Sequence, residues 1–273
     1  MTNQHDKGNH FRALHQAAGV FVIPNAWDGG SARILAGLGF KALATSSGAC
    51  AATLGRVDGK VTRDEALTHA RNIAAVTECP VSADLEKGFG DAPQAVAETI
   101  RLAADAGLVG CSIEDATGDK DKPLYDMSHA VERIAAAVEA ARALPFPFTL
   151  TARSENYLRG RADLDDTIRR LQAFERVGAD VLFAPALPDL DAVRAVCRSL
   201  TKPVNFMVAI KGKSFSVAEL AAAGVRRISL ATSLYRTAVA GLVTAAREVR
   251  DAGTFGFLDG AITTAELNQY LQA

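Results

Sequence analysis

Acidic residues stand where short apolar runs of this chain end, and their types and spacing could bind a cation. The run "VSADLE" ends in Asp84 and Glu86, the run "GCSIED" carries Glu114, and Asp58 lies in an earlier polar segment. Carboxylates that converge on one site repel each other unless protons or a cation intervene. Oxygen ligands favour Mg²⁺ or Mn²⁺ over Zn²⁺, and none of the five histidines ends an apolar run. These four acids therefore predict a divalent-cation site.

Other polar residues close further apolar runs and are candidates for binding an anionic substrate. Arg153 and Glu155 end the run that begins at Phe148, and Asn205 lies at the start of a later run. A planar guanidinium can bind a carboxylate through two parallel hydrogen bonds, although a structural pair with Glu155 would use the same group. An acid at such a position can also simply cap the next helix, and this is our interpretation of Asp91.

The elements that must position these residues alternate regularly along the chain. Short strand-like runs are followed by longer helical patterns. The predicted strands cover 20–26, 41–47, 81–86, 110–115, 148–155, 181–185, 204–208 and 227–233. Eight such units in 273 residues predict an α/β fold, a (β/α)8 barrel of the TIM type. An open doubly wound sheet is the rival, but no Gly-x-Gly-x-x-Gly follows the first strand.

In a (β/α)8 barrel the carboxyl ends of the strands form the face where the chemistry takes place. The fold would therefore bring the candidate residues together. Asp84 and Glu86 are two residues apart, which predicts that both point to the same side of their strand. We place the barrel in residues 1–250 and a C-terminal helical extension in residues 251–273, where Thr263 and Glu266 form a capping-box pattern.

Composition excludes several classes of partner. The formal net charge is −1, which gives no electrostatic reason to expect nucleic acid or an anionic membrane surface as a partner. The polar N-terminal segment has no apolar stretch typical of a signal peptide, and no apolar run approaches the ~20 residues that span a bilayer. The four cysteines show no C-x-x-C spacing, so reduced thiols in a cytoplasmic protein are expected.

Four motifs resemble those of the isocitrate lyase/phosphoenolpyruvate mutase superfamily, over most of the chain from Phe21 to Arg236. They are "ADLEKGFG", "GCSIED", "TARSE" and "SSG" followed by "LGRVD". The resemblance implies that Asp84 contacts Mg²⁺ directly. The other three acids would hold it through waters, namely Asp58, Glu86 and Glu114. Candidates for substrate binding are the backbone around Ser46, Ser47 and Gly48, together with Arg153, Glu155 and Asn205.

The resemblance also implies a substrate class and an assembly. Members of the superfamily act on small 2-oxo or 2-hydroxy carboxylates, which they break or rearrange through a metal-stabilised enolate. We therefore expect a magnesium-dependent carbon–carbon lyase acting on a small di- or tricarboxylate. The family usually forms homotetramers in which the last helix of the barrel is exchanged between subunits, and the segment from Thr263 could be that helix.

One loop departs from the lyase pattern. Lyases of the family carry K-[KR]-C-G-H after the I-E-D motif, where the cysteine acts as acid and base. Here residues 116–126 read "ATGDKDKPLYD", with neither cysteine nor histidine. Lys120, Tyr125 or a metal-bound water would have to move the proton. A phosphonopyruvate or oxaloacetate-type hydrolase or mutase, or a binding protein with little turnover, is therefore an open alternative.

Overall fold

The computed structural model describes residues 3–272, and within them eight parallel strands form a barrel. The strands are β1 (Phe21–Ile23), β2 (Leu43–Ala44), β3 (Val81–Asp84), β4 (Gly110–Glu114), β5 (Thr149–Arg153), β6 (Val181–Phe183), β7 (Val204–Met207) and β8 (Arg227–Ser229). Neighbouring strands pair in parallel from β2 through β8 to β1. The predicted (β/α)8 barrel is therefore confirmed, with the eight strands in their predicted places.

The gap between β1 and β2 is closed by Asn25 rather than by a regular ladder. Asn25 forms an isolated parallel bridge with Ala44. Its side-chain amide donates to the carbonyl of Thr45 at 2.6 Å, and its Oδ1 accepts from the amide of Leu230 at 2.9 Å. One buried side chain thus ties the ends of β1, β2 and β8 together.

Helices surround the barrel and follow most of its strands. They are α1 (Gln4–Gln16), α2 (Gly29–Gly37), α3 (Ser47–Thr53), α4 (Arg63–Ala74), α5 (Pro93–Asp105), α6 (Met127–Arg142), α7 (Leu164–Arg176), α8 (Leu190–Arg198), α9 (Val217–Ala222), α10 (Ser233–Ala252) and α11 (Thr264–Leu271), with a 3₁₀ turn at Gly256–Gly260. The apolar faces of helices such as α5, α6 and α7 pack on the outer faces of the strands. This core includes fully buried Ile100, Ile134 and Leu171.

Two helices, α1 and α3, were not predicted. The N-terminal segment is polar and gave no helix prediction, but α1 buries Phe11 completely, against Ile23, Ala42 and Val109. Helix α1 therefore covers the amino end of the barrel. Helix α3 begins at Ser47, in a segment that was assigned to the end of a strand.

Two further expectations were wrong. Glu86 was expected to continue the strand of Asp84, but β3 ends at Asp84. Glu86 has a φ of 49°, which is not an extended conformation. The expectation that Asp84 and Glu86 point to the same side of one strand therefore does not apply. Asp91 was expected to cap a helix. Helix α5 instead follows Ala92 with Pro93 at its first position and no side-chain cap, and Asp91 pairs with Lys87.

The C-terminal part contains the predicted helix. Thr263 and Glu266 form a capping box at the start of α11, which confirms that part of the prediction. Helix α11 lies against α2, where Arg33 donates to the carbonyl of Leu271 at 2.5 Å. The predicted ranges 1–250 and 251–273 also include residues 1, 2 and 273, which lie outside the described residues. No helix within residues 3–272 has the length and apolar character needed to cross a membrane.

Candidate active site

Three adjacent strands end in charged residues that face one another across the carboxyl end of the barrel. Asp84 is the last residue of β3, Glu114 of β4 and Arg153 of β5. Glu114 lies opposite Arg153 in the ladder, and Asp84 lies opposite Ser112. Asp84 and Arg153 line a cavity of about 50 Å³, to which residues from all eight strands contribute. Parallel pairing in register therefore assembles the candidates at one end, as the fold predicted.

Asp84 is held by donors from three separate segments. Its Oδ1 accepts from the backbone amide of Glu86 at 3.3 Å and from the hydroxyl of Ser112 at 3.5 Å. Its Oδ2 accepts from the backbone amide of Ser47 at 3.3 Å. These contacts are long, so the carboxylate is oriented toward the cavity without being saturated by strong hydrogen bonds.

Arg153 lies among three carboxylates. Its Nη1 is 3.7 Å from Oδ2 of Asp84 and 3.6 Å from Oε2 of Glu114, and its Nε donates to Glu155. Burial alone would lower the pKa of Arg153, but Glu155, Glu114 and Asp84 together raise it, so the side chain is a permanent cation. Its guanidinium also lies over the ring of Phe183, 5.1 Å from the centroid.

Arg159 completes this charged network and was not identified from the sequence. Its Nη2 is 3.1 Å from Oε1 of Glu114, and its Nε is 3.0 Å from Oε2 of fully buried Glu155. Glu155 is further fixed by its own amide, which donates to Asp115 at 2.8 Å. The i,i+4 spacing of Glu155 and Arg159 was the available signal. Glu155 thus positions two arginines at the mouth rather than facing solvent.

The remaining two acids border the mouth. Glu86 is half-buried, and burial together with Asp84 and Asp58 raises its pKa to about 7. Asp58 is exposed, and its Oδ2 approaches Gly48 closely enough that an added Cβ there would lie 3.4 Å from it. The same Cβ would lie 3.0 Å from Thr232, so a side chain at position 48 would crowd both neighbours. Glycine is therefore suited to this position.

The donor set fits a hard divalent cation held partly through water. Within residues 3–272, no three of the Asp, Glu, His and Cys side chains lie close enough together to ligate one ion directly. Burial, opposed by Arg153 and reinforced by Glu155 and Asp84, raises the pKa of Glu114 to about 8. Such clustered carboxylates gain from a nearby cation, and their oxygen atoms suit Mg²⁺ or Mn²⁺.

Of the expected substrate-binding residues, Arg153 and Asn205 line the cavity, and the Ser46–Gly48 segment is linked to it through Asp84. Ser46 is the N-cap of α3 and accepts from the amide of Ala49, so Ser47 and Gly48 form the start of a short helix rather than a turn. The amide of Ser47 contacts Asp84. Asn205 is buried and lines the cavity from β7. The structure therefore brings Ser46–Gly48 and Arg153 to the barrel mouth, and it places Asn205 on the wall of the cavity inside the barrel.

Neither of the two proton-transfer candidates of the altered loop, Lys120 and Tyr125, lines the cavity. Lys120 is exposed between β4 and α6. Tyr125 is buried, and its hydroxyl donates to Asp91 at 2.5 Å while the guanidinium of Arg133 lies 4.2 Å from its ring centroid. Burial, followed by the bond to Asp91, raises the pKa of Tyr125. Cys111, the nearest thiol in sequence, is fully buried in the core between strands and helices.

Polar residues inside the barrel were also missed by the sequence reasoning. Ser112 and Ser229 line the cavity, and Arg227 reaches into it from the start of β8. The available signal was the polar residue in "GCSIED" and the arginine at the start of "RISL", each at an alternate position of a strand. Each was read as part of an ordinary apolar run.

Known proteins share this architecture over nearly the whole chain. A family model described as phosphoenolpyruvate phosphomutase matches residues 11–250. The 2-methylisocitrate lyase of Escherichia coli (strain K12) is 31% identical over 242 residues, covering 85% of this chain and 80% of that protein. The oxaloacetate decarboxylase of Chromohalobacter salexigens is 30% identical over 256 residues, covering 91% and 87%.

Several solved structures are similar to this chain over nearly its whole length. A protein of Burkholderia cenocepacia J2315 with a provisional lyase/mutase description is 54% identical, with a TM-score of 0.97 and coverage of 99% of this chain and 98% of that one. Oxaloacetate acetylhydrolase in complex with the product oxalate is 27% identical, with a TM-score of 0.90 and coverage of 99% and 95%. The structure of 2,3-dimethylmalate lyase is 29% identical, with a TM-score of 0.88 and the same coverage. This chain belongs to the phosphoenolpyruvate phosphomutase family, within the PEP mutase/isocitrate lyase superfamily.

Proposed function

We propose that this chain is a divalent-cation-dependent carbon–carbon lyase that acts on a small 2-hydroxy or 2-oxo di- or tricarboxylate through an enolate. The observation that carries the proposal is the convergence of Asp84, Glu114 and Arg153 at the ends of three adjacent strands, where Asp84 and Arg153 line the cavity and Glu114 lies 3.6 Å from Arg153. Acids that suit a cation, next to a buried guanidinium that suits a carboxylate, favour a ligand that is anionic and also chelates the cation. The names of the 2-methylisocitrate lyase and 2,3-dimethylmalate lyase relatives support the same class.

The acids would hold Mg²⁺ or Mn²⁺, with Asp84 in direct contact and Asp58, Glu86 and Glu114 acting through waters. When bound, the cation would stabilise the negative charge that develops on the oxygen atoms of the substrate. Asp84 suits the direct role because donors from three segments orient it toward the cavity.

The chain's own residues would bind and orient the substrate. Arg153 would take one carboxylate, and Glu155, which is itself paired with Arg159, would hold the guanidinium of Arg153 in place. The backbone around Ser46, Ser47 and Gly48 would receive a second anionic group. Asn205, buried at the cavity wall, would donate to the substrate from the opposite side of the barrel.

A lyase reaction requires a proton donor for the leaving fragment, and this chain lacks the loop cysteine that supplies the proton in lyases of the family. A positioned acid contributes about 10²–10⁴-fold to a rate. Residues 116–126 contain no thiol or imidazole, and Lys120 is the group of this loop that we assign to the role. An ammonium group is a weaker general acid than a thiol or an imidazolium. We therefore expect slow turnover of isocitrate and 2-methylisocitrate, or a preferred substrate whose leaving fragment needs no strong acid.

The same loop favours a second candidate, a hydrolase or decarboxylase acting on oxaloacetate. This reaction does not require a thiol acid on the loop, and relatives named oxaloacetate decarboxylase and oxaloacetate acetylhydrolase support it. A phosphonopyruvate enzyme on the same site, or a 2-oxo acid-binding protein with little turnover, is the remaining alternative.

A substrate panel with Mg²⁺ separates these candidates. Isocitrate, 2-methylisocitrate, 2,3-dimethylmalate, oxaloacetate and phosphonopyruvate would each be assayed at steady state, with chelator and with Arg153→Met as controls. Turnover of a hydroxy acid supports the lyase, and exclusive turnover of oxaloacetate supports the second candidate. Metal-dependent binding of oxalate without turnover of any compound would indicate a binding protein. Turnover that survives both chelator and Arg153→Met would contradict the proposal.

We also propose a homotetramer in which a C-terminal helix is exchanged between subunits. The sequence offered the segment from Thr263 for this role, but that segment forms α11, which packs on α2 of the same chain, so we assign the exchange to α10 instead. All of α10, Ser233–Ala252, is described by the structure, and none of its residues is buried. Leu242 is 67% exposed, and Val243 and Val249 are also exposed, which leaves an apolar surface that a second copy would cover. Light scattering coupled to size-exclusion chromatography tests this, with Leu242→Glu expected to yield smaller species. A monomeric wild-type chain would contradict the proposal.

A further inference from the structure

Arg227 is a buried guanidinium held by neutral groups. It is only 5% exposed, at the start of β8, and it reaches across the barrel interior. Its Nε donates to Oδ1 of Asn205 at 2.8 Å, and its Nη2 donates to Oγ1 of Thr151 at 3.0 Å. Among residues 3–272, no carboxylate lies within salt-bridge distance of this group in the way that Glu155 pairs with Arg153. Burial lowers its pKa to about 9, so Arg227 is still a cation at neutral pH.

On the side of the amino end of the barrel, the partner of Arg227 is His15 of α1. The ring nitrogen of His15 that carries the proton can be assigned. Nδ1 of His15 lies 2.8 Å from the carbonyl oxygen of Phe11, which can only accept, so Nδ1 carries the proton. Nε2 is then a lone pair and lies 3.4 Å from Nη1 of Arg227. Burial, reinforced by Arg227, lowers the pKa of His15 to about 3, so this ring is neutral. Helix α1 therefore supplies an acceptor without a negative charge.

On the side of the cavity, Arg227 fixes the orientation of the side-chain amide of Asn205. A guanidinium donates only, so the oxygen of Asn205 must face it and the amide nitrogen must point away. That nitrogen donates to Oγ of Ser229 at 3.0 Å. Arg227, Asn205 and Ser229 all line the cavity of about 50 Å³ inside the barrel. About 10–15 Å³ suffices for one water molecule, so this cavity has room for a small ion.

Arg227 has more N–H groups than its three protein contacts use. A guanidinium has five N–H groups, and the contacts with Asn205, Thr151 and His15 use three of them. A buried cation without a counter-charge is strongly unfavourable unless a ligand compensates it. The interior around it is lined by small polar side chains, Ser82 and Ser112 among them, where (β/α)8 barrels usually pack bulky branched residues.

We propose that Arg227, Asn205 and Ser229 form an anion-binding floor inside the barrel, which takes one carboxylate or a monovalent anion of similar size. The anion would be a terminal carboxylate of the substrate or a free ion that remains below it. Because Asn205 is also a proposed substrate ligand, this site deepens the proposed function, but anion binding at it requires neither a metal nor turnover.

Anomalous diffraction from crystals soaked in sodium bromide locates the anion. The wild-type protein is expected to show a bromide peak next to Arg227, and its absence would overturn the proposal. The anion is either a free ion or a terminal carboxylate of the substrate. Soaks with Mg²⁺ and either oxalate or the longer 3,3-difluorooxaloacetate distinguish these two sources. A peak that persists with both ligands identifies a free anion, whereas displacement by the longer ligand alone identifies its terminal carboxylate.

A matched pair of variants at His15 tests the role of the charge without altering the cavity walls. His15→Gln keeps a neutral acceptor below Arg227, and His15→Glu places a carboxylate there, which would neutralise the guanidinium. Formate binding, measured by calorimetry on the metal-free protein, should be weaker in the Glu variant by about tenfold or more. Equal affinities in the two folded variants would overturn the proposal.

Variants of Arg227 itself decide the question should His15→Glu fail to fold. Arg227→Lys retains the positive charge and is expected to keep the bromide peak. Arg227→Gln retains hydrogen-bonding capacity without charge and is expected to lose it. A bromide peak of equal height in both variants would show that the floor does not bind through the charge at position 227. Since none of these measurements involves turnover, a failure here leaves the lyase assignment separately testable.

Discussion

Asp84 and Arg153 face each other across the mouth of the barrel, with Oδ2 of Asp84 3.7 Å from Nη1 of Arg153. The same guanidinium is bonded to Glu155, which is fully buried, and is 3.6 Å from Glu114. Arg153 is therefore both a candidate substrate ligand and the cation that compensates the carboxylates of the site. These two roles can be separated. Compensation of the carboxylates affects the free energy of unfolding in the absence of ligand, whereas substrate binding does not.

Replacing Arg153 with Met should destabilise the ligand-free protein. Removal of one member of a buried ion pair leaves the other charge uncompensated, at about 3–5 kcal/mol. Urea unfolding at neutral pH measures the change. Arg153→Lys keeps the charge but loses the planar fork, so it should be less destabilised while binding oxalate poorly. A Met variant as stable as the wild type would show that Arg159 alone compensates Glu155 and Glu114.

Replacing Asp84 with Asn should abolish magnesium-dependent oxalate binding while the barrel still folds. Loss of residues that only orient metal ligands weakens metal affinity by about 10–100-fold, so loss of a direct ligand should exceed about 100-fold. Calorimetric titration of oxalate with Mg²⁺ and with chelator gives the two affinities. Asp105→Asn, at the exposed end of α5, is the control and should bind normally. Unchanged metal-dependent affinity in Asp84→Asn would show that Asp84 is not the direct ligand.

Replacing Lys120 with Ala should weaken binding of an anionic ligand more than replacing Lys122. The ammonium of Lys122 is paired with Asp126 at 2.8 Å, whereas Lys120 extends from the exposed part of the loop. Exposed charges contribute about 0.2–1 kcal/mol, so the expected loss for Lys120→Ala is roughly fivefold or less. Oxalate affinities at low and high salt measure it, since added salt should diminish the difference. The reverse order of the two variants would contradict this account of the loop.

The sequence predicts the fold well because short apolar runs alternate with longer helical patterns, and the length and periodicity of each segment indicate whether it is a strand or a helix. All eight predicted strands are present, and strand-end residues such as Glu114 and Arg153 meet because parallel ladders align their ends. Conformations that depend on tertiary contacts were not predictable. Glu86 adopts a positive φ just after its strand, and the polar helix α1 forms because Phe11 inserts below the barrel. Arg227 was missed because a single charge at a strand end usually faces solvent.

Replacing Tyr125 with Phe distinguishes a catalytic phenol from a structural one. The hydroxyl of Tyr125 donates to Asp91, and burial raises its pKa, so proton release toward the mouth is disfavoured. We expect turnover close to that of the wild type on whichever substrate the panel identifies, with stability reduced by about 1 kcal/mol from the lost hydrogen bond. A fall in kcat of about 10²–10⁴-fold without a comparable loss of stability would identify Tyr125 as the proton donor.

Replacing His15 with Gln should remove a part of the acid sensitivity of the fold. The pKa of His15 is lowered to about 3 in the folded protein from 6.5 in the unfolded chain, first by burial and then by Arg227. Protons therefore bind the unfolded chain preferentially between these two values, so this group favours folding fully above pH 6.5 and progressively less as the pH falls toward 3. Between pH 7.5 and pH 5 the wild type should lose about 2 kcal/mol through this group, and His15→Gln should not. Chemical unfolding of both proteins across that range gives the difference directly. Parallel pH profiles for the two proteins would mean that His15 can be protonated in the folded state, and that its ring is more accessible than its burial against Phe11 and Phe21 indicates.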